Sequence, residues 1–207
     1  GFVSFGSKDF ITFTNNYALN RQSSPNSRGA KGGALYIGKY TSLVINGSFR
    51  NNFTETPYQI NSNSEQYSLG GAVFHENTLG RLQLRGHPSL ATEFLNNRAG
   101  SGGAVYCDGN SDPRPSPIIG GSDVTNPRIR DYGRRMSFEN NTAIAHGGAI
   151  YTKRNLTVYG AGGFINDLPL AQAYGTGFSV RFANNSAGYT GGAIAVHLPS
   201  IEPPVPI

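Results

Sequence analysis

The chain has 207 residues, enough for one domain with a packed core or for a short array of repeats. Only 14% of the residues are charged, 28 are glycine and none is tryptophan, which favours many turns and excludes an architecture of long charged helices. The net charge of +5 comes from scattered basic residues, so no nucleic-acid-binding stripe is expected.

In chain order, the apolar opening Phe2-Val-Ser-Phe5 leads to the first of five Phe-x-Asn-Asn segments, which begin at Phe13, Phe49, Phe94, Phe138 and Phe182. Gly-Gly-Ala alternates strictly with them, beginning at Gly32, Gly70, Gly102, Gly147 and Gly191, and runs on into Leu35, Val73, Val105, Ile150 or Ile194. A third pattern, Leu-x-aliphatic-x-Gly, stands at 43–47, 82–86 and 156–160. Three short period-2 segments, each ended by Gly or Asn, predict three strands and three turns per repeat. That order builds one coil of a parallel β-helix, each strand stacking on its copy in the next coil. The tightest spacings, 17 residues from Gly32 to Phe49 and 8 from Phe94 to Gly102, leave room for one coil per repeat and not two.

The longer repeats are therefore read as one coil plus an inserted loop, with inserts near 53–69, 108–135 and 161–177. The fold class expected is all-β, a parallel β-helix of about five three-stranded coils, roughly 24 Å long at one strand spacing per coil. Residues 1–197 form this single domain, and 198–207 a Pro-rich extended tail. The opening GFVSFGSKDF has no initiator Met and no signal-peptide pattern, so the chain reads as a mature or excised segment of a longer product. No run approaches the roughly 18 apolar residues of a membrane span, and membrane insertion of this segment is not expected.

Strand alternation assigns faces. In Phe-x-Asn-Asn the x position holds Thr14, Arg50, Leu95, Glu139 and Ala183, a mixture suited to solvent, which turns the Phe and the first Asn inward. Two core ladders are expected: Phe13, Phe49, Phe94, Phe138 and Phe182, and Asn15, Asn51, Asn96, Asn140 and Asn184. The second Asn is assigned a left-handed turn position. In the Gly-Gly-Ala strand the aliphatic residue is placed inward, leaving Tyr36, Phe74, Tyr106 and Tyr151 as an exposed aromatic ladder.

Chemistry is sparse. The 12 acidic residues recur at no coil spacing, and His75, His87, His146 and His197 make no metal or triad pattern and read as surface or turn histidines. Cys107, the one cysteine, excludes an intrachain disulfide and fills an inward strand position. Asp108, Asn110 and Asp112 open like a calcium loop, but Pro113 stands where such a loop needs Gly and no Glu follows at its twelfth position, so an Asx-turn is the expectation and no metal or cofactor is assigned. Of the sequons, the face assignment leaves Asn46, Asn52 and Asn155 as glycan acceptors in a eukaryotic host and excludes Asn140 and Asn184 as inward.

The alternation of Phe-x-x-Asn with Gly-Gly-Ala-[Ile/Leu/Val] over residues 10–196 resembles the repeats of the chlamydial polymorphic outer membrane proteins. The resemblance implies a β-helix displayed at a cell surface, with an adhesive role; for Phe138, Asn141 and Gly147–Ile150 it implies a structural part only. The function expected is a non-catalytic extracellular or cell-surface scaffold, adhesive or structural. Its expected partners are molecules on host or neighbouring cells, glycans among them, or other copies of itself. One alternative is a filament subunit joined end to end through uncapped coils, since unprotected strand edges pair with whatever edge they meet. A second is a polysaccharide-active enzyme, a common use of β-helices.

Overall fold

The computed structural model describes residues 2–4, 10–20, 29–55, 68–76, 80–85, 90–109, 117–119, 135–158, 164–165, 168–169 and 179–197. The first coil runs through β1 (Phe2–Ser4), β2 (Ile11–Thr14), β3 (Tyr17–Leu19) and β4 (Leu35–Ile37). The second repeats the order with β5 (Ser42–Ile45), β6 (Gly47–Arg50), β7 (Phe53–Glu55) and β8 (Val73–His75), and the third with β9 (Leu82–Leu84), β10 (Thr92–Leu95), β11 (Arg98–Ser101) and β12 (Val105–Cys107). The fourth has β13 (Ile118–Ile119), β14 (Arg135–Glu139), β15 (Thr142–His146) and β16 (Ile150–Thr152). The fifth has β17 (Thr157–Val158), an antiparallel pair β18 (Phe164–Ile165) and β19 (Leu168–Pro169), then β20 (Ser179–Ala183), β21 (Ser186–Ala187) and β22 (Ile194–Val196). Equivalent strands stack in parallel into four five-stranded sheets, which makes an all-β parallel β-helix.

Each coil thus has four strands, not the three expected. The additional strand, β3, β7, β11, β15 or β21, starts directly after the second Asn. Its outward residues differ in every coil, which hid it, but its inward position holds a small side chain each time: Ala18 pairs with Thr54, and Ala99 with Ala143, which pairs in turn with Ala187. The inserts shrink accordingly. Residues 53–55 are β7, and β13 lies inside the span 108–135; residues 56–67, 110–116, 120–134 and the tail 198–207 lie outside the described residues.

In the core, the Phe rings of β2, β6, β10, β14 and β20 stack at centroid separations of 4.9, 4.7, 4.7 and 4.9 Å with interplanar angles of 12° or less. Phe49, Phe94 and Phe138 are wholly buried. Val73, Val105 and Ile150 face them across the coil, with Leu43, Ile45, Leu82, Leu84 and Ile119 closing the third side.

The two Asn positions exchange the parts expected of them. It is the first Asn that turns the corner: Asn15, Asn51, Asn96, Asn140 and Asn184 have φ between +53° and +58°, a left-handed conformation that Asn tolerates, and they are exposed. Because that residue reverses the pleat's phase, the second Asn points inward. Asn16, Asn52, Asn97 and Asn141 each donate both the backbone N–H and the side-chain amide to Oδ1 of the Asn one coil further on, Asn52, Asn97, Asn141 and Asn185, at 2.9–3.0 Å. The other amide hydrogen of Asn52, Asn97, Asn141 and Asn185 goes to the carbonyl of Phe13, Phe49, Phe94 or Phe138. A carboxylate could not replace this amide, since it has no hydrogens to donate.

The paired glycines divide their work as well. Gly32, Gly70, Gly102, Gly147 and Gly191 have φ of +61° to +64° and turn the chain into the Gly-Gly-Ala strand. The second glycine is required by approach: a Cβ on Gly33, Gly71, Gly103 or Gly148 would meet the carbonyl oxygen of the glycine one coil further on at 2.0–2.2 Å.

One core position departs from the pattern. His75, aligned between Ile37 and Cys107, is wholly buried and not a surface or turn histidine. A nitrogen of its ring lies 2.9 Å from the Thr41 carbonyl, while Nδ1 has no hydrogen-bond partner among the described residues. Burial, and secondarily the charge of buried Arg154, hold its pKa below the ordinary histidine value, against the opposing pull of the Thr41 carbonyl.

Replacing Phe138 by Ala should cost about 3–5 kcal/mol in a urea titration, as deletion of a packed ring does in a core that cannot collapse around it. In the same assay Asn141→Ala should cost about 2–4 kcal/mol by stranding buried donors and acceptors, whereas Asn140→Gly, at an exposed left-handed site, should change stability by only about a few tenths; equal losses would return the ladder to the first Asn. His75 binds its proton less readily folded than unfolded, so its contribution is complete above about pH 6.5 and is lost as pH falls from there through the lower folded value. Stability measured at pH 7.5 and 5.5 should therefore drop more for the natural chain than for His75→Leu.

Candidate functional site

With most of the repeated side chains turned inward, apart from the exposed first Asn, variable chemistry sits on the other outward rows, which differ from coil to coil. On the sheet that carries the Phe ladder, one outward row runs Thr14, Arg50, Leu95, Glu139, Ala183 and its neighbour Thr12, Ser48, Glu93, Ser137, Arg181. Arg50 bridges two coils, its Nε donating to Ser48 Oγ at 2.9 Å and its terminal nitrogen pairing with Glu93 at 2.5 Å. Arg181 and Glu139 pair at 3.5 Å. A shallow groove of about 580 Å³ opens here between Phe10 and Leu90, floored by Thr12, Thr14, Ser48, Arg50 and Glu93. Hydroxyls, a guanidinium and a carboxylate fixed by one another, beside apolar walls, suit a polar, hydroxyl-bearing ligand.

The aromatic row of the Gly-Gly-Ala sheet exists as a stack, with centroid separations of 5.5 Å (Tyr36–Phe74), 5.4 Å (Phe74–Tyr106) and 5.0 Å (Tyr106–Tyr151). It is not the exposed ladder expected. Phe74, Tyr106 and Tyr151 are buried in a second apolar cluster outside the coil, together with Leu69, and the Lys31 ammonium sits 4.5 Å from the Phe74 ring. Only Tyr36 is open, 52% exposed. Leu69, which bridges to Lys31 and Ser101, packs with the rings and helps to cover them.

The sequons sort opposite to expectation. Asn46 and Asn52 are buried, Asn52 inside the amide column, while Asn140 and Asn184 are exposed at left-handed corners; Asn155 is exposed as expected. For Asn52, Asn140 and Asn184 the cause is again the phase of the two Asn positions. The exposed Asn15, Asn51 and Asn96 form a second, outer amide row, linked by bonds of 3.2 Å.

Asp108 accepts from the N–H of the next residue, Gly109, at 3.1 Å and pairs with Lys153 at 3.8 Å; an Asx-turn would use the N–H of Asn110, which with Asp112 lies outside the described residues. All five acidic residues among the described residues face a cation: Glu55 Arg98, Glu76 Lys39, Glu93 Arg50, Asp108 Lys153 and Glu139 Arg181. No group of three or more His, Cys, Asp or Glu could hold a metal ion among the described residues. His146 contacts Thr190 Oγ1 at 2.7 Å, and burial, then the charge of nearby His197, lowers its pKa. Cys107 is buried in the core, and His87 lies outside the described residues. Among the described residues no helix is long and apolar enough to cross a membrane.

The comparison with curated proteins and that with solved structures each gave no match. The Chlamydia polymorphic membrane protein repeat matches residues 10–38, 91–108, 135–153 and 179–197. Each match spans the Phe, small-residue and Gly-Gly-Ala strands of one coil, and the second coil, divided between β7 and β8 by residues 56–67, is the one without a match. Four of the five coils are thus each similar to this repeat.

Proposed function

We propose that the coil stack is a non-catalytic scaffold of the cell surface, adhesive in function, that holds its outward rows against molecules on host or neighbouring cells. The observation that supports this most is the division of side chains: the repeated Phe and second Asn are consumed inside by their columns, while non-repeated residues stand outside at fixed spacing. Such a surface can vary without disturbing the fold that presents it. The repeat family supports a surface location, and the pairing of every described carboxylate with a cation supports a binding role over general acid–base catalysis, which needs a carboxyl group free to exchange its proton. Glycans are the ligand class that the groove beside Arg50 and Glu93 fits best, because a sugar offers hydroxyls to pair with the charged groups and an apolar face to lie against Phe10 or Leu90.

The test is binding of the purified chain to cultured cells and to an array of surface oligosaccharides. Saturable binding is expected, falling about tenfold or more in an Arg50→Ala/Glu93→Ala variant whose stability changes by only about 1 kcal/mol or less, since the pair is partly exposed. Binding unaffected by both substitutions would remove the groove from the site. Release of reducing ends from any polysaccharide on the array would replace the scaffold reading with an enzymatic one.

A further inference from the structure

Five Asn-x-Ser/Thr sequons begin at Asn46, Asn52, Asn140, Asn155 and Asn184, and the fold treats them according to their place relative to the corner. Asn140-Asn141-Thr142 and Asn184-Asn185-Ser186 begin on the corner residue itself. Their first and third side chains are exposed, and only the middle Asn turns inward. Asn52-Phe53-Thr54 begins one residue later, which puts both Asn52 and Thr54 inside the coil. Asn46 and its Ser48 are buried as well, and Asn155 lies off the corner row, just before β17.

Hydrogen bonding divides the corner asparagines in the same way. Asn51 Nδ2 donates to Asn15 Oδ1 and Asn96 Nδ2 to Asn51 Oδ1, each at 3.2 Å. The row then stops: among the described residues, Nδ2 of Asn140 and of Asn184 donates to nothing, although another corner Asn stands one coil away from each. The corners of the first three coils have Tyr17, Phe53 and Arg98 where a sequon needs a hydroxyl. Asn52, in contrast, spends both hydrogens of its Nδ2, one on the Phe13 carbonyl and one on Asn97 Oδ1.

From this we infer that Asn140 and Asn184 are acceptor sites for N-linked oligosaccharide, and that Asn46 and Asn52 are not. The co-reactant is an oligosaccharide carried on a lipid diphosphate, presented by a transferase that reads the sequon hydroxyl. Asparagine Nδ2 forms a bond to the anomeric carbon of the first sugar, the bond from that carbon to the diphosphate oxygen breaks, the lipid diphosphate leaves, and Nδ2 gives up one proton to a base of the transferase. That exchange takes one amide hydrogen. At Asn140 and Asn184 the hydrogen is unused and the inner amide column from Asn141 to Asn185 is untouched, whereas at Asn52 it would strip a bond from that column. The groove beside Arg50 and Glu93 is edged by Asn51, whose corner has no sequon, so glycans on the fourth and fifth coils leave it open. The inference rests on the scaffold reading only in requiring export through a compartment that holds the transferase.

The test secretes the 207-residue chain from cultured eukaryotic cells behind a leader peptide and isolates the folded, protease-resistant material. Glycan release by a peptide amidase in heavy-oxygen water converts each occupied Asn to labelled Asp, which peptide mass spectrometry locates. Label is expected at Asn140 and Asn184 and not at Asn46 or Asn52. Thr142→Val and Ser186→Ala, both at exposed positions, should each abolish label at their own sequon alone with the melting temperature unchanged, and Thr142→Ser should keep it. Folded chain unlabelled at both Asn140 and Asn184, or labelled at Asn52, would overturn the inference. Because the readout is occupancy of the chain's own asparagines, with no ligand or target cell present, either result leaves the adhesive reading to its own test.

Discussion

The structure depends on a column of amides at one corner of the coil, in which Asn52, Asn97 and Asn141 are buried and Asn16 and Asn185 stand at its ends. A tight corner leaves backbone N–H and C=O groups pointing into the interior, where an unpaired group costs about 1–3 kcal/mol. Each buried asparagine settles two of them, receiving the N–H of the coil below and returning one amide hydrogen to the Phe carbonyl of that coil, and it passes its other amide hydrogen upward to the next asparagine's Oδ1. The bonds run along the stack, so they fix the coil spacing and the rotational register together. Neutral amides also avoid the repulsion that a column of buried charges would bring.

Given that register, the rest follows by repetition. The Phe residue two places before the corner falls on its own copy in each coil, with centroids 4.7–4.9 Å apart, close to the strand spacing, so rings can stack face to face without strain. The glycine pair closes the opposite side of the corner strand, with one member supplying the left-handed turn and the other the room for a neighbouring carbonyl. The exposed Asn that precedes each buried one matters as much as its partner, because its positive φ inverts the pleat and so decides which of two identical side chains enters the core.

For function, the consequence is a separation of parts. A column satisfied along its length tolerates any outward residue, and the rows Thr14–Arg50–Leu95–Glu139–Ala183 and Thr12–Ser48–Glu93–Ser137–Arg181 show the variety that results. The same column has a polarity, each asparagine donating to the one in the next coil, so the interaction that holds the coils together also fixes their direction.

The sequence alone determined the β-helix, the number of coils, the stacked Phe column and the inward aliphatic row, because these depend on side-chain types recurring at a fixed place in every repeat. Tertiary structure decided what recurrence leaves ambiguous. Two adjacent asparagines look alike as letters, and only the backbone angle at the corner shows that Asn140 is exposed and Asn141 buried, which in turn reversed which sequons are open. The fourth strand was signalled only by one small residue per coil, such as Ala99 or Ala143, a pattern too slight to separate from a turn. The covering of Phe74 and Tyr106 by Leu69, the burial of His75 and the meeting of Arg50 with Glu93, 43 residues apart, depend on which coils lie next to one another. Local sequence carries no record of such contacts, because stacking and not chain proximity creates them.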